Sequence, residues 1–141
     1  MLHATAAGRA WLTTLDEDEA VRVVQKKGFS IPTRFNRSIV TDERTLRAEL
    51  RASRECGYGL ANEEGAKQGV AMACPIFVPL EKKTRAVGTV SIAGPKVRMT
   101  SKRIIQISKE LKAAALEFSR IWPMRRFVEG TSVSAEASKD E

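Results

Sequence analysis

Apolar residues fall into two kinds of pattern along this chain. Within residues 4–27, 41–57 and 100–122 they recur every three or four positions, the spacing of one buried helix face. Within 58–60, 70–78 and 85–93 they run together or alternate, as strands do. Residues 4–15 predict a short Ala-rich helix closed by Leu12 and Leu15, with Thr5 as its N-cap. Asp16, followed by Glu19, opens a second helix whose buried side is Ala20, Val21 and Val24, ending at Lys26-Lys27-Gly28. The stretch from Phe29 to Val40 contains Ile31-Pro32 and reads as irregular. Thr41-Asp42-Glu43 starts a third helix, with Leu46 and Leu50 inside and Gly57 as its stop.

Tyr58-Gly59-Leu60 then reads as a short strand and Ala61 to Gly69 as a polar connection. Val70 to Val78 is a continuous apolar strand in which Pro75 predicts an edge or bulge position. Glu81 to Thr84 joins it as a hairpin to the β-rich run Arg85 to Ala93, which stops at Gly94-Pro95. The final helix, from Thr100 or Ser101 to Trp122, aligns Ile104, Ile107, Leu111, Ala115, Phe118 and Trp122 on one side. Pro123 is expected to end it. Residues 129–141, poor in apolar anchors, read as a disordered tail. The predicted organisation is one α+β domain over residues 1–122, with an antiparallel sheet flanked by helices, and a mostly disordered extension over 123–141. Three strands are few for the apolar surface these helices offer.

Composition narrows the function classes. A chain of 141 residues suits a single domain, and no apolar run reaches the ~20 residues of a membrane span. The N-terminus carries no signal-peptide pattern, so a soluble cytoplasmic protein without membrane partners is expected. Cys56 and Cys74 form no metal or disulfide pattern, and Cys74 reads as a small buried hydrophobe. His3 is the only histidine, so neither a Cys-His or Ser-His pair nor a histidine metal site is supported. Glu63-Glu64 is the one carboxylate pair of interest and reads as solvent-facing or bonded to turn amides. No catalytic residue, metal ligand or cofactor is expected, and no enzyme. The net charge of +7 raises nucleic acid as a partner. Its densest cluster, Arg44, Arg47, Arg51 and Arg54, lines one helix face with acids interleaved. That reads as a solvated face, with a non-specific nucleic-acid-binding basic domain as the alternative; aromatics at 6% are scarce for stacking bases.

Four stretches, in order, resemble the IclR family of bacterial transcription regulators. They are His3-Ala4-Thr5-Ala6-Ala7-Gly8-Arg9-Ala10-Trp11-Leu12; Thr41 to Leu50 running into Arg54-Glu55-Cys56-Gly57-Tyr58-Gly59; Asn62-Glu63-Glu64 with Gly69 and Ala73-Cys74-Pro75-Ile76; and Val90-Ser91-Ile92-Ala93-Gly94-Pro95. The stretches run from His3 to Pro95, and the resemblance is taken to cover residues 2–122. The resemblance implies the C-terminal effector-sensing domain, a GAF/profilin-like antiparallel sheet with helices on its faces. It also implies a truncation: the family's winged helix, and the first helix and hairpin strands of the sensing domain, would lie ahead of Met1. DNA would then be contacted only through that absent head.

By the same resemblance the partner is a small organic acid or aromatic carboxylate effector, and the domain is a homo-oligomer. The effector positions implied are Ala6, Ala7 and Gly8 at a helix start, Ala61 and Asn62 before the paired glutamates, and Ala71, Ser91 and Ala93 on the strands. A helix N-terminus offers unpaired amides to a carboxylate, and small residues let it approach. Alone, those small residues read better as a helix packed tightly on a sheet. Ala61, Asn62, Ala71 and Ala93 stand where some relatives carry acidic residues, a cysteine or a hydroxyl, so a more apolar site is expected.

Overall fold

The computed structural model describes residues 2–31, 39–64, 67–80 and 83–136, with 79–80, 83–85 and 123–136 described by backbone alone. A 3-10 turn, Leu2–Ala4, leads into α1, Ala6–Leu12, capped by Thr5, whose Oγ1 accepts from the Gly8 amide at 3.1 Å. The helix stops at Leu12, short of the expected Leu15. Thr13 and Thr14 turn their hydroxyls onto the carbonyls of Ala10 and Trp11, both at 2.7 Å, and such local bonds compete with a continuing helix. Asp16 caps α2, Glu17–Lys27, through the amides of Asp18 and Glu19. Asp42 caps α3, Glu43–Cys56, through Thr45, and Gly57 closes it in the left-handed conformation at φ 81°. Ala20, Val21 and Val24 of α2 meet Leu46 and Leu50 of α3, with Leu12 and Val40, in one apolar cluster. Residues 32–38 of the expected irregular stretch lie outside the described residues.

The sheet is antiparallel, in the order β1 (Gly59–Asn62), β2 (Gly69–Leu80), β3 (Lys83–Pro95). Alternation along β2 divides its residues between two faces. Val70, Met72, Cys74 and Ile76 pack with Leu111 and Ala115 of the last helix, α4; Ala73 packs with Ala6 and Ala10 of α1. Covered on both sides, β2 reads as an unbroken apolar run. It is the central strand, not an edge, yet Pro75 is still tolerated. β1 spans only Val70 to Ala73 of β2, so at Pro75 the strand has β3 alone beside it, just before a register irregularity at Ile76/Phe77. Residues 81–82 of the hairpin connection lie outside the described residues.

α4, Ser101–Glu136, is preceded by Thr100, whose Oγ1 accepts from the Arg103 amide. Leu111 and Ala115 are buried as its periodicity demands, and Phe118, expected inside, is 41% exposed. The helix does not end at Pro123; its backbone continues to Glu136, through residues 129–136 of the stretch expected to be disordered. Proline removes one amide and crowds one earlier carbonyl, at about 3 kcal/mol. The residues that follow, Met124-Arg125-Arg126-Phe127, are compatible with helix, so the ladder resumes beyond it. Residues 137–141 of the expected tail lie outside the described residues.

Candidate functional site

Register places three alanines in one row across the sheet. Ala61 of β1 lies opposite Ala71 of β2, which lies opposite Ala93 of β3. Residues directly opposite share a face, and this face is the one toward α1. With only methyl groups in that row, the sheet stays low beneath the start of the helix. A pocket of about 150 Å³ remains, lined by Ala4, Thr5, Ala6, Ala61, Gly69, Val70, Ala71 and Ala93. Four of the eight expected effector positions therefore converge on one cavity: Ala6, Ala61, Ala71 and Ala93.

The other four lie elsewhere. Ala7 packs at the edge of the small-residue cluster of Ala6, Ala10, Ala61 and Ala73 and does not line the cavity. Gly8 does not line the cavity; a Cβ there would sit 2.1 Å from the Leu2 carbonyl oxygen, so the opening turn packs directly on it. Asn62, opposite Val70 and Gly94, is one residue out of phase with the alanine row and exposed. Ser91 shares the alanines' face but stands one rung along, opposite Ala73, and is exposed. Tight packing and a cavity thus coexist, since Gly59 also touches α1 so closely that a Cβ would meet the Ala6 carbonyl oxygen at 2.5 Å. Ala4, Thr5, Gly69 and Val70 line the pocket without having been expected there. Their signal was weak, because lining depends on register and not on residue type.

Thr5 is the one lining residue with a polar side chain, and its Oγ1 already receives the Gly8 amide. The cap leaves the Ala6 and Ala7 amides without a partner inside the helix. With seven residues, α1 carries little macrodipole, so polar attraction at the mouth is modest.

Beside the pocket lies the most buried charge described. Arg9 is 2% exposed and Glu64 7%. The guanidinium grips the carboxylate with both arms, Nη1 to Oε1 at 3.1 Å and Nη2 to Oε2 at 2.6 Å. Nη2 also donates to the His3 carbonyl at 2.9 Å, and Nη1 to the Leu60 carbonyl and to Glu49 Oε2 at 3.3 Å. The pair Glu63-Glu64, expected to be solvent-facing or bonded to turn amides, is therefore split: the expectation holds for Glu63 and fails for Glu64. Glu63, at φ 57°, turns outward to Lys96 and accepts from the Gln68 amide at 3.1 Å, and these donors hold its carboxyl below the usual range. Glu64 turns inward. An arginine among the small residues of α1 was the only sequence signal for this pairing.

His3 is buried as well. Its Nε2 accepts from the Ser30 amide at 3.1 Å and lies 2.9 Å from Ser30 Oγ, and Phe29 packs edge-on at 5.6 Å. Burial, then the positive charges of the amino terminus and Arg9, push its pKa down. Burial likewise pushes the Cys74 thiol up, consistent with a packing residue. Among the described residues no group of three or more His, Cys, Asp and Glu is arranged to hold a metal. No helix among them is long and apolar enough to cross a membrane.

The arginine face of α3 is solvated as expected, with Arg44, Arg51 and Arg54 exposed, and three of its arginines are also tied to α2. Arg47, Arg51 and Arg54 converge on Glu17 at the start of α2, at 3.0, 2.8 and 3.4 Å, and Arg47 also takes Asp18 and Glu43. The bonds from Arg51 and Arg47 hold the Glu17 carboxyl down at about 2. A shallow depression of about 510 Å³ over Glu43, Arg44, Arg47, Ala48 and Arg51 is walled largely by these committed side chains.

Comparison with known proteins agrees with the geometry. The family model described as bacterial transcriptional regulator IclR C-terminal matches residues 1–120. The HTH-type transcriptional repressor AllR of Klebsiella pneumoniae is 30% identical over 118 residues, covering 84% of this chain and 41% of the relative. The C-terminal domain of the Escherichia coli regulator KdgR superimposes with a TM-score of 0.72 at 27% identity, over 84% of this chain and 69% of that one. The inducer-binding domain of PobR from Acinetobacter, a double mutant in complex with 3-hydroxybenzoic acid, gives 0.70 at 26% identity, over 84% and 65%. The chain thus spans less than half the length of the curated relative it matches.

Proposed function

The chain belongs to the IclR family, matching its C-terminal domain, and from that premise we propose that it is an effector-sensing module whose ligand sits between α1 and the alanine row. The observation that carries this reading is the convergence of Ala6, Ala61, Ala71 and Ala93, from three strands and a helix start, on one cavity. The function is regulatory and not catalytic. An effector would act by binding one arrangement of the domain better than another, and can shift the balance only by that difference.

The wall chemistry narrows the effector. An apolar cavity of ~150 Å³ holds a benzene-sized ring, and this pocket offers methyl groups with a single, already engaged hydroxyl. A monocyclic aromatic carboxylate fits best, its ring on the alanines and its carboxylate at the mouth near the Ala6 and Ala7 amides. The PobR relative, with 3-hydroxybenzoic acid, supports that choice of class. Amides of this kind add about 0.3–1 kcal/mol, up to ~2 when partly buried, so ring burial supplies most of the affinity.

The module is also proposed to self-associate. Residues 86–94 of β3 carry no charge, and Ile92 is exposed at 42% on a strand paired, among the described residues, only with β2. Light scattering at two protein concentrations tests this, and a monomer at both rejects it. Calorimetry of the full chain with benzoate, 3-hydroxybenzoate and a polyhydroxy aliphatic acid tests the sensing role. The aromatic acids should bind at least about tenfold more tightly, a difference of about 1.4 kcal/mol. Preference for the polyhydroxy acid, or no heat from any of the three, overturns it.

A further inference from the structure

Arg9 lies outside the pocket lining, yet its bonds reach the neighbours of the lining residues on both walls. Its Nη2 donates to the carbonyl of His3, which precedes Ala4 in the roof. Its Nη1 donates to the carbonyl of Leu60, which precedes Ala61 in the floor. Both arms hold Glu64, three residues beyond Ala61, in the β1–β2 connection that leads to Gly69. Glu49 of α3 adds a fourth anchor at 3.3 Å. Roof, floor and connection therefore share a single buried cation.

We propose that Arg9 is the positioning residue of this cavity: it sets the spacing between the opening turn and the sheet, and so the width of ligand the cavity admits. The proposal rests on the effector-site reading for its ligand readout, but its mechanical content is independent of any ligand. Three features support it beyond a purely structural ion pair. The guanidinium is planar and forked, so it fixes the angle as well as the distance of what it grips. It answers backbone carbonyls of both walls, which a simple charge neutraliser would not need. The Glu64 carboxylate it grips is turned inward just after Glu63, whose left-handed backbone and outward bond to Lys96 hold the turn from the other side.

The test compares the full chain with Arg9→Lys, which keeps the charge and loses the fork, and with Glu64→Gln, which keeps the shape and loses the charge. Hydrogen exchange is read without ligand. In both variants, amides of residues 3–6, 61–64 and 67–71 should exchange at least about tenfold faster, a local opening about 1.4 kcal/mol easier. Amides of residues 108–115 in α4 should be unchanged. A uniform acceleration across the chain, or none in the two walls, overturns the proposal by making Arg9 a general stabiliser or a spectator. If Arg9→Lys does not fold, Glu64→Gln is read on the same terms. Affinities for benzoate and 2-naphthoate are then measured in parallel. The ratio favouring benzoate should fall at least fivefold in the variants, and an unchanged ratio rejects Arg9 as the determinant of width. If neither acid binds the unmodified chain, the effector reading fails, and the exchange data still decide the positioning role.

Discussion

Replacing Ala71 by leucine should separate ligand binding from stability. Ala71 is the middle member of the row Ala61–Ala71–Ala93, so any side chain there rises into the centre of the cavity. Leucine adds three carbon groups, each comparable to the ~30 Å³ share of a liquid water, together about 90 Å³. The cavity measures about 150 Å³. Less than half would remain, too little for an aromatic ring. Burying those groups contributes about 0.8 kcal/mol each, offset by about 0.5–1 kcal/mol of lost leucine rotamer freedom, a net gain of roughly 1.5 kcal/mol if the fit is free of strain. The variant should melt at or slightly above the unmodified temperature and give no calorimetric signal with benzoate. Unchanged benzoate affinity would place the site elsewhere. A melting temperature lowered by several degrees would refute the cavity itself, showing that the space over Ala71 is already filled.

Other expectations follow from neighbouring contacts. Gly59→Ala should cost about 1–3 kcal/mol by overpacking, because the new methyl meets backbone atoms of α1, the Ala6 oxygen at 2.5 Å and the Ala10 nitrogen at 2.7 Å; thermal unfolding reads this as a loss of several degrees, and no loss would mean α1 can shift freely. His3 is held below its ordinary 6.5 in the folded chain, so the unfolded chain binds the extra proton first. Stability from this group is complete above 6.5 and declines as pH falls below it, and His3→Gln should flatten that slope in urea titrations at stepped pH. Glu17, lowered to about 2, stabilises the α2–α3 junction above its ordinary 4.5 and ceases to do so as pH falls through about 2. Glu17→Gln should therefore lower the melting temperature at neutral pH, less at high salt, with the gap to the unmodified chain closing at the acid end.

Much of this molecule is written in short range along the chain. Thr5, Asp16 and Asp42 mark three helix starts because their side chains reach amides two or three residues ahead, and Gly57 ends α3 through its own backbone. The stripe through Leu111 and Ala115 marks the buried side of α4, and the ordered motifs from His3 to Pro95 were enough to name the family. What a residue meets at long range was not legible in this way. The alanine row exists only once the register aligns Ala61, Ala71 and Ala93. That register places Ser91 a rung away and Asn62 out of phase, although both sit in recognisable motifs. Arg9 finds Glu64 across 55 positions, and Arg47, Arg51 and Arg54 find Glu17 across 30 to 37, so a solvated basic face also ties two helices together. The opening turn folds back onto Gly8, a contact that no local pattern shows. Local signals depend on atoms a few bonds apart and survive in any surroundings. Burial, pairing and cavity volume are set by where distant segments come to rest, and only the tertiary structure decides that.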